Sequence, residues 1–215
     1  MPYTAEHKRR TRQRIVREAA HAFREQGLDG VSIPEVMGQA GLTHGGFYAH
    51  FPSKDALIAA SFAEGFGESA ERLLDQGEGL PSGEALTTII RAYLSRAHRD
   101  TPATGCVVPA LTGEVARGSA EVRAGFTVAL RAYAHRLAAL LPTVNATTAP
   151  TDRDADALAL LAGMAGALQL ARAVDNPALS DAILLRARRL YTEAFVESGA
   201  ASATTMSETQ GDARE

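Results

Sequence analysis

The chain has 215 residues, of which 46% are apolar and 22% are charged. These values lie near globular averages and exclude a wholly disordered chain, and the length suits one large domain or a small domain joined to a larger one. A single cysteine, Cys106, cannot form an internal disulfide, which fits a reducing, cytoplasmic location. No secretory signal is evident at the N-terminus, and the longest apolar run, residues 157–168, is shorter than the roughly 20 residues that span a bilayer. We therefore expect a soluble protein with no membrane partner.

The net charge of −3 is unevenly distributed along the chain. Residues 1–54 contain eight Lys or Arg against five Asp or Glu, a balance of +3, and the remaining residues contain 14 against 20, a balance of −6. The excess is greatest in the run Lys8-Arg9-Arg10-Thr11-Arg12-Gln13-Arg14. Such an asymmetry indicates that one end meets a polyanion. A solvated basic helix face is the alternative interpretation.

Helical periodicity begins within this basic run. Ile15, Ala19 and Phe23 recur four residues apart and predict one apolar face on a long first helix. The opposite face carries Arg10, Arg14, Arg17 and Arg24.

Two short helices are predicted next. Ser32 and Glu35 form the pattern of a capping box, in which the serine oxygen accepts from the backbone and the glutamate reaches back. This second helix ends at Gly41. Thr43 is then expected to cap a third short helix that runs through His50.

Helical signals also dominate the rest of the chain, and strand signals are nearly absent. The fold class expected is all-α with about nine helices. A loop is predicted at residues 143–151 and a disordered tail at residues 199–215. The remaining helices are predicted over residues 55–73, 89–97, 106–112, 122–142, 154–174 and 179–196.

Two short helices joined by a glycine-containing turn and preceded by a basic helix are typical of a helix-turn-helix. The second of the pair must be slim to enter a major groove about 12 Å wide. Gly45 and Gly46 satisfy this need, because they let the backbone approach DNA closely at a cost of about 1 kcal/mol each in helix stability. Thr43 and His44 then face the groove. The side chains placed to reach phosphates are Tyr48, His50 and Lys54.

Residues 12–62 closely resemble the DNA-binding domain of the TetR family of bacterial transcriptional regulators. The resemblance rests above all on Ser32-Ile33-Pro34-Glu35-Val36 and on residues 41–57, with the sequence GLTHGGFYAHFPSKDAL. It implies nine-helix subunits that form a homodimer, a double-stranded DNA operator of pseudo-palindromic sequence, and a C-terminal domain that binds a small-molecule effector. Since most members repress, it also implies a repressor.

The resemblance assigns roles to individual residues. Thr43, His44, Gly45 and Tyr48 match recognition-helix contacts, and Lys54 matches a phosphate-contacting lysine. Phe47 and Phe51 match positions that pack this helix onto the domain. The family more often has threonine or serine where Gly46 stands, so we expect an operator read partly through its shape. The full set of expected DNA-binding residues is Ser32, Thr43, His44, Gly45, Gly46, Tyr48, His50, Lys54, Arg10 and Arg14.

A dimer interface is predicted on the last two helices. Small residues four apart on the eighth helix allow a close helix contact, and large apolar residues on the ninth would complete a four-helix bundle across a two-fold axis. A helix packed inside one subunit would show the same pattern. The expected interface residues are Ala159, Gly163, Gly166, Ala167, Leu184, Tyr191 and Phe195.

An apolar effector pocket is predicted from aromatic and methionine side chains spread over four helices. Tyrosine hydroxyls would orient the ligand, although core packing would account for each residue singly. The expected lining residues are Phe62, Phe66, Tyr93, Phe126, Tyr133 and Met164.

Cys106 is a further candidate for signal detection. It lies at the predicted start of the sixth helix, where the helix dipole favours the thiolate. Some family members use a cysteine near this helix to detect oxidants or electrophiles, so its modification is expected to release DNA. The alternative is a small buried apolar residue. An apolar or electrophilic effector is therefore expected.

Enzymatic and metal-dependent functions find little support. The sequence has no P-loop, nucleophile elbow, dinucleotide fingerprint or HExxH motif, and its histidines do not stand at ligand spacing. We expect neither cofactor nor metal and no catalytic residue. An all-helical small-molecule-binding protein or enzyme is the alternative class. The expected domains are residues 1–54 for DNA binding and 55–198 for ligand binding and dimerisation.

Overall fold

A computed structural model describes residues 5–142 and 150–197, and within these two stretches all regular structure is helical. The predicted all-α fold is confirmed. The α-helices are α1 (Ala5–Gln26), α2 (Ile33–Gln39), α3 (Lys54–Leu73), α4 (Ser82–Tyr93), α5 (Arg96–Asp100), α6 (Val107–Val115), α7 (Ala120–Leu140), α8 (Pro150–Ala173) and α9 (Pro177–Thr192). A 3₁₀ helix at His44–Ala49, here called the recognition segment, lies between α2 and α3, and a π-helical stretch at Glu193–Glu197 follows α9.

Two predicted helices differ from the observed ones. The helix predicted over residues 89–97 is in fact two, because Leu94 leaves the helical conformation with a ψ of 43°. The Ser95 hydroxyl then accepts from the His98 amide at 3.1 Å and caps α5. The third predicted helix is a 3₁₀ helix, which the spacing of its apolar residues does not distinguish from an α-helix.

Three sequence-based expectations concern the ends of α8 and the chain beyond α9. The loop predicted at residues 143–151 lies outside the described residues over 143–149, and it is wrong at residues 150 and 151, which begin α8. The tail predicted at 199–215 also lies outside the described residues. The apolar run of residues 157–168 belongs to a longer helix. Its portion Asp152–Ala173 is, by length and composition alone, able to span a membrane, with a mean hydropathy of 1.2. The core helix of a water-soluble protein passes the same test, so this finding carries little weight.

The chain divides into two compact units by its contacts. The first unit comprises Met1–Ser69 and Thr101–Ala132, and the second comprises Ala70–Asp100 and Tyr133–Glu215. The helix-turn-helix and α6 therefore belong to one unit. The predicted division after residue 54 concerns function and stays a prediction.

The core of the first unit is built on the predicted apolar face of α1. Ile15, Ala19 and Phe23 are at most 1% exposed, and they are joined in this core by Val36 and Met37 of α2. Full burial of an isoleucine, valine, methionine or phenylalanine side chain contributes about 1.5–3 kcal/mol. The apolar faces of α1 and α2 thus form the core of the first unit, and this core holds the helix-turn-helix together.

In the second unit, α8 and α9 pack directly against each other. A Cβ at Gly163 would lie 2.4 Å from the hydroxyl oxygen of Tyr191, so the glycine makes room for this ring. His98 is also buried in this unit, with Nδ1 2.7 Å from the Tyr93 carbonyl oxygen. Burial lowers the pKa of His98 to about 4, against the opposing effect of that hydrogen bond.

Candidate nucleic-acid interface

The turn of the helix-turn-helix is set by local backbone chemistry. The Ser32 hydroxyl accepts from the Glu35 amide at 3.3 Å and caps α2. The second bond of the predicted capping box, in which Glu35 would reach back to Ser32, does not occur among the described residues. The Glu35 carboxylate instead accepts from the Gln26 side chain at 3.1 Å. After α2, Gly41 adopts a φ of +66°, which a residue with a side chain adopts at a cost of about 1–2 kcal/mol. The chain therefore reverses here because residue 41 is glycine.

Two phenylalanines hold the recognition segment in place. Phe47 and Phe51 are at most 2% exposed, and their rings stack with centroids 5.9 Å apart. The Tyr48 ring meets Phe47 edge-on at 5.2 Å. Because the buried rings fix the segment, its remaining residues are presented in one conformation.

The residues expected to read DNA lie on the exposed side of this segment. Thr43, His44 and Gly45 are exposed, and Tyr48 is 66% exposed. Thr43 occupies the N-cap position, but its hydroxyl makes no capping hydrogen bond, contrary to the prediction. This hydroxyl is therefore available to a partner.

The two neighbouring glycines of the segment are not required by the surrounding protein. A Cβ built at Gly45 would meet nothing within 4 Å, and one at Gly46 would make an ordinary contact of 3.7 Å with Met37. Neither glycine has a positive φ. Alanine would therefore fit at both positions, and no contact among the described residues requires glycine there.

The first turn of α3 provides a site that favours anions. Lys54 is the first residue of α3 and is half-buried. The Ser53 hydroxyl accepts from the Ala56 amide at 3.0 Å, which caps one of the helix N-terminal donors. The remaining amides and the lysine ammonium favour a phosphate, while the Asp55 carboxylate of the same turn opposes one.

Sequence reasoning missed two cations of α1. The Arg12 guanidinium lies 4.6 Å from the centroid of the Phe51 ring. Burial, then the positive charges of Lys8 and Arg12, lower the pKa of His50, whose Nδ1 is enclosed without a hydrogen-bond partner among the described residues. Reading the apolar stripe of α1 back towards the N-terminus from Phe23 would have found both cations, since 8, 12, 16 and 23 share one face.

Arg10 and Arg14, the arginines selected from the sequence, lie on another face of α1. They line a surface cavity of about 370 Å³ together with Arg17 and with Glu64 of α3. Arg10 also pairs with Glu6 at 2.5 Å. Residues two apart on a helix point about 200° apart, so Arg12 and its neighbours Arg10 and Arg14 cannot share a face.

The residues expected at the dimer interface fall into two groups. Ala159 and Gly166 are exposed on α8, and Ala167 is half-buried. The other group packs within the chain: Leu184 is 2% exposed, and Gly163 contacts the half-buried Tyr191. Leu184 is thus a core residue, because its position on α9 points inward. The half-buried Phe195 lies in the π-helical stretch.

The aromatic residues expected in an effector pocket are buried in both units. In the first unit the Phe126 ring packs against Phe62 at 5.4 Å and against Phe66 at 5.7 Å. Tyr93, Tyr133 and Met164 belong to the second unit and are each at most 2% exposed.

Cys106 occupies the N-cap position of α6, where the sequence placed it, and it is fully buried. Its backbone neighbour Gly105 accepts a hydrogen bond from the Arg24 guanidinium at 3.0 Å. Among the described residues no group of three or more His, Cys, Asp or Glu side chains is arranged to hold a metal ion.

The geometry above defines a helix-turn-helix DNA-binding protein, and comparison with known proteins identifies its family. Residues 15–61 match the family model of bacterial regulatory proteins of the tetR family, and residues 83–186 match the tetracyclin repressor-like C-terminal domain. These matches cover well over half of the chain. The chain therefore belongs to the TetR family of DNA-binding transcriptional regulators, and the predicted family and function are confirmed at this level.

Curated relatives match only part of the chain. An uncharacterized HTH-type transcriptional regulator, YerO of Bacillus subtilis, is 30% identical over 94 residues, which are 41% of this chain and 32% of that protein. The transposon Tn10 TetC protein of Escherichia coli is 41% identical over 54 residues, 25% of this chain and 27% of that protein. The matched stretches thus span about a third or less of these relatives.

Solved structures share the fold over most of the chain. The reduced form of E. coli NemR has a TM-score of 0.68 at 19% identity, covering 87% of this chain and 97% of its own. A TetR-family regulator from Cytophaga hutchinsonii has a TM-score of 0.69 at 24% identity, covering 88% and 96%. At these identities the likeness establishes the fold alone.

Proposed function

We propose that this protein is a homodimeric repressor that binds a pseudo-palindromic operator and is released from it by a small molecule. The observation that carries the DNA-binding part is the recognition segment, where buried Phe47 and Phe51 hold Thr43, His44 and Tyr48 in an exposed, fixed arrangement. Preorganised side chains lose little conformational entropy when they bind, so the arrangement favours a specific complex.

In this proposal the phosphate contacts surround the recognition segment. Tyr48, His50 and Lys54 contact phosphates as expected from the sequence, and exposed Ser32 lies at the start of α2. We assign the contacts from α1 to Lys8 and Arg12 in place of Arg10 and Arg14, because the former pair lies beside His50 and Phe51. Gly45 and Gly46 let the backbone approach the bases, so DNA shape contributes to specificity.

The dimer forms through the exposed face of α8. Small or polar residues recur on this face at alternating spacings of four and three, the heptad seam along which two helices pack closely. Exposed leucines occur on α8 and on α9, which packs against it, and exposed apolar surface indicates an interface. The seam residues are Ala155, Ala159, Ala162, Gly166, Gln169 and Ala173. The exposed leucines are Leu170 of α8 and Leu179 and Leu190 of α9, each 50–61% exposed.

The effector is an apolar or electrophilic small molecule. Each set of buried aromatic residues, that around Phe126 and that of Tyr93, Tyr133 and Met164, could line a site for an apolar ligand after a local rearrangement. Modification of Cys106 is a second route to release from DNA. Because this thiol is fully buried, an adduct on it would have to displace neighbouring residues. It would displace Gly105 and weaken the hydrogen bond that Gly105 makes with Arg24. Like other members of its family, the protein acts in the cytoplasm and without catalysis.

Titration with a duplex from the protein's own upstream region tests the DNA-binding proposal. Anisotropy with labelled duplex should show specific binding that weakens steeply between 50 and 200 mM salt, since each phosphate contact contributes about −0.9 to the slope of log K against log salt. Tyr48→Ala should weaken binding, and Val128→Ala, at an exposed position of α7, serves as control. Binding no tighter than to a scrambled duplex would favour the alternative class of all-helical enzyme or ligand-binding protein.

Two further experiments test the signal. A thermal-shift screen of apolar compounds should find ligands that raise the melting temperature and release the duplex. Cys106→Ser, treated with a quinone or hypochlorite, should hold DNA where the wild type releases it. Release from both proteins would refute the role of the thiol and leave the apolar route.

A further inference from the structure

A carboxylate of α6 contacts the turn that joins α1 to α2. The Glu114 carboxylate oxygen Oε2 accepts from the Leu28 amide at 2.7 Å and from the Asp29 amide at 3.3 Å. These two amides follow the end of α1 at Gln26, and among the described residues neither of them donates to a backbone carbonyl. Glu114 thus satisfies two backbone donors immediately before the helix-turn-helix.

The residue before these two amides is Gly27, and its lack of a side chain leaves room for the Glu114 carboxylate. Gly27 adopts a φ of +84° and ends α1. A Cβ at this position would lie 2.8 Å from the other carboxylate oxygen of Glu114, closer than non-bonded atoms approach. Any side chain at residue 27 would therefore displace the carboxylate.

The other end of α6 is also bound to α1. The sequence placed Arg24 on the polar face of α1, but its side chain is only 1% exposed. Arg24 donates to the Gly105 carbonyl at 3.0 Å and to the Gly65 carbonyl at 3.2 Å, and it pairs with Glu68 of α3. Gly105 immediately precedes the first turn of α6. Helix α6 is therefore attached at both ends. At its start, Arg24 of α1 donates to the Gly105 carbonyl, and at its other end Glu114 accepts from the two amides that follow α1.

We propose that Glu114 is the positioning residue that couples α6 to the DNA-reading helices. Because its carboxylate holds the turn between α1 and α2, the start of α2 moves with α6. DNA binding then favours the closed position of α6, which is the observed one with the Glu114 contact made. Opening of α6, which is the loss of that position, weakens DNA binding. The coupling must be reciprocal, because it is a free energy between two sites. The proposal rests on the DNA-binding function and is independent of the effector's identity.

The chain contains its own probe for the opening of α6. Cys106 is the only cysteine of the 215 residues and is fully buried at the N-cap of α6. Its rate of reaction with an aromatic disulfide reagent therefore reports how often this end of α6 opens. We would measure that rate with and without a duplex that the wild-type protein selects from a random-sequence pool.

The expected result is a difference between two substitutions at one position. In the wild type, saturating duplex should slow the labelling of Cys106 at least threefold. Glu114→Ala should label faster without DNA, show no slowing by saturating duplex, and bind the duplex about tenfold more weakly. Glu114→Gln keeps an acceptor oxygen at the same reach and should stay within twofold of the wild type. Glu121→Ala, an exposed carboxylate on the adjacent α7, is the matched control.

Amide hydrogen exchange separates the contact from the coupling. The Leu28 and Asp29 amides should be protected in the wild type and exchange faster in Glu114→Ala, while those in the middle of α1 stay unchanged. Unchanged exchange at both amides would overturn the contact. If the two amides exchange faster in Glu114→Ala but the duplex still slows the labelling of Cys106 in that variant, Glu114 has only a structural role, and the coupling is overturned. A protein that selects no duplex would refute DNA binding and with it the coupling, while exchange would still report on the contact.

Discussion

Replacing Gly45 by alanine separates what the protein requires from what DNA requires. The added Cβ would meet nothing within 4 Å in the protein, and the position is exposed, so no steric cost arises. Glycine lowers helix stability by up to about 1 kcal/mol relative to alanine. For a chain of this size, a gain of about 1 kcal/mol raises the melting temperature by roughly 2–4 °C.

The same methyl group should weaken DNA binding. If the backbone at Gly45 approaches the base edges, the methyl group occupies that space, and a lost base contact costs about 1–3 kcal/mol. This corresponds to an affinity at least roughly fivefold lower at constant salt. Gly113→Ala is the matched control, since this exposed glycine of α6 also has open space around its Cβ. It should gain stability and bind DNA unchanged.

Thermal unfolding and anisotropy titrations on the two alanine variants measure both quantities. A Gly45→Ala protein that is more stable and binds as tightly as the wild type would refute the argument that DNA selects glycine here. A less stable variant would refute the statement that the protein leaves the position open.

Four further predictions concern individual residues. Arg12→Ala should reduce the salt slope of DNA binding by about 0.9, while Arg14→Ala, an arginine on another face of α1, should not; equal slopes in the two variants would contradict the assignment. His98 has a lower pKa in the folded protein, about 4, than the ordinary value of 6.5, so its protonation favours the unfolded chain. The free energy of unfolding, measured with urea, should hold above pH 6.5 and lose about 3 kcal/mol by pH 4, and a His98→Gln variant that loses as much would exclude this histidine as the cause. Gly163→Ala should destabilise the subunit by about 1–3 kcal/mol, because its Cβ would lie 2.4 Å from the tyrosine packed on it. Gly166→Leu should leave the subunit folded and weaken the dimer in analytical ultracentrifugation, and a dimer of unchanged affinity would place the interface elsewhere.

The helix-turn-helix was predictable because its determinants are local. A capping serine, a glycine that reverses the chain and two large apolar rings act on neighbours a few residues away, and their spacing is visible in the sequence. Ser32, Gly41 and Phe47 have the roles that their positions indicate. The all-α fold followed for the same reason, since periodicity reports which side of each helix is buried.

The assignment of surface residues was less predictable, because it depends on what lies opposite each face. Arg10 and Arg12 belong to one basic run, yet Arg12 contacts Phe51 while Arg10 lines a cavity with Glu64. Likewise, Gly163 makes room for a tyrosine of its own chain, while Gly166 faces open space. The spacing of small residues on α8 is the same in both cases and cannot distinguish them.

The sequence by itself determined the class of this protein, because caps, turns and a helical apolar period are short-range properties. Only the tertiary structure decided that Arg12 packs on Phe51 and that α6 is bound to the end of α1. The contact of Glu114 with Leu28 joins residues 86 positions apart. No local pattern specifies such a pairing, because it exists only once the chain has packed.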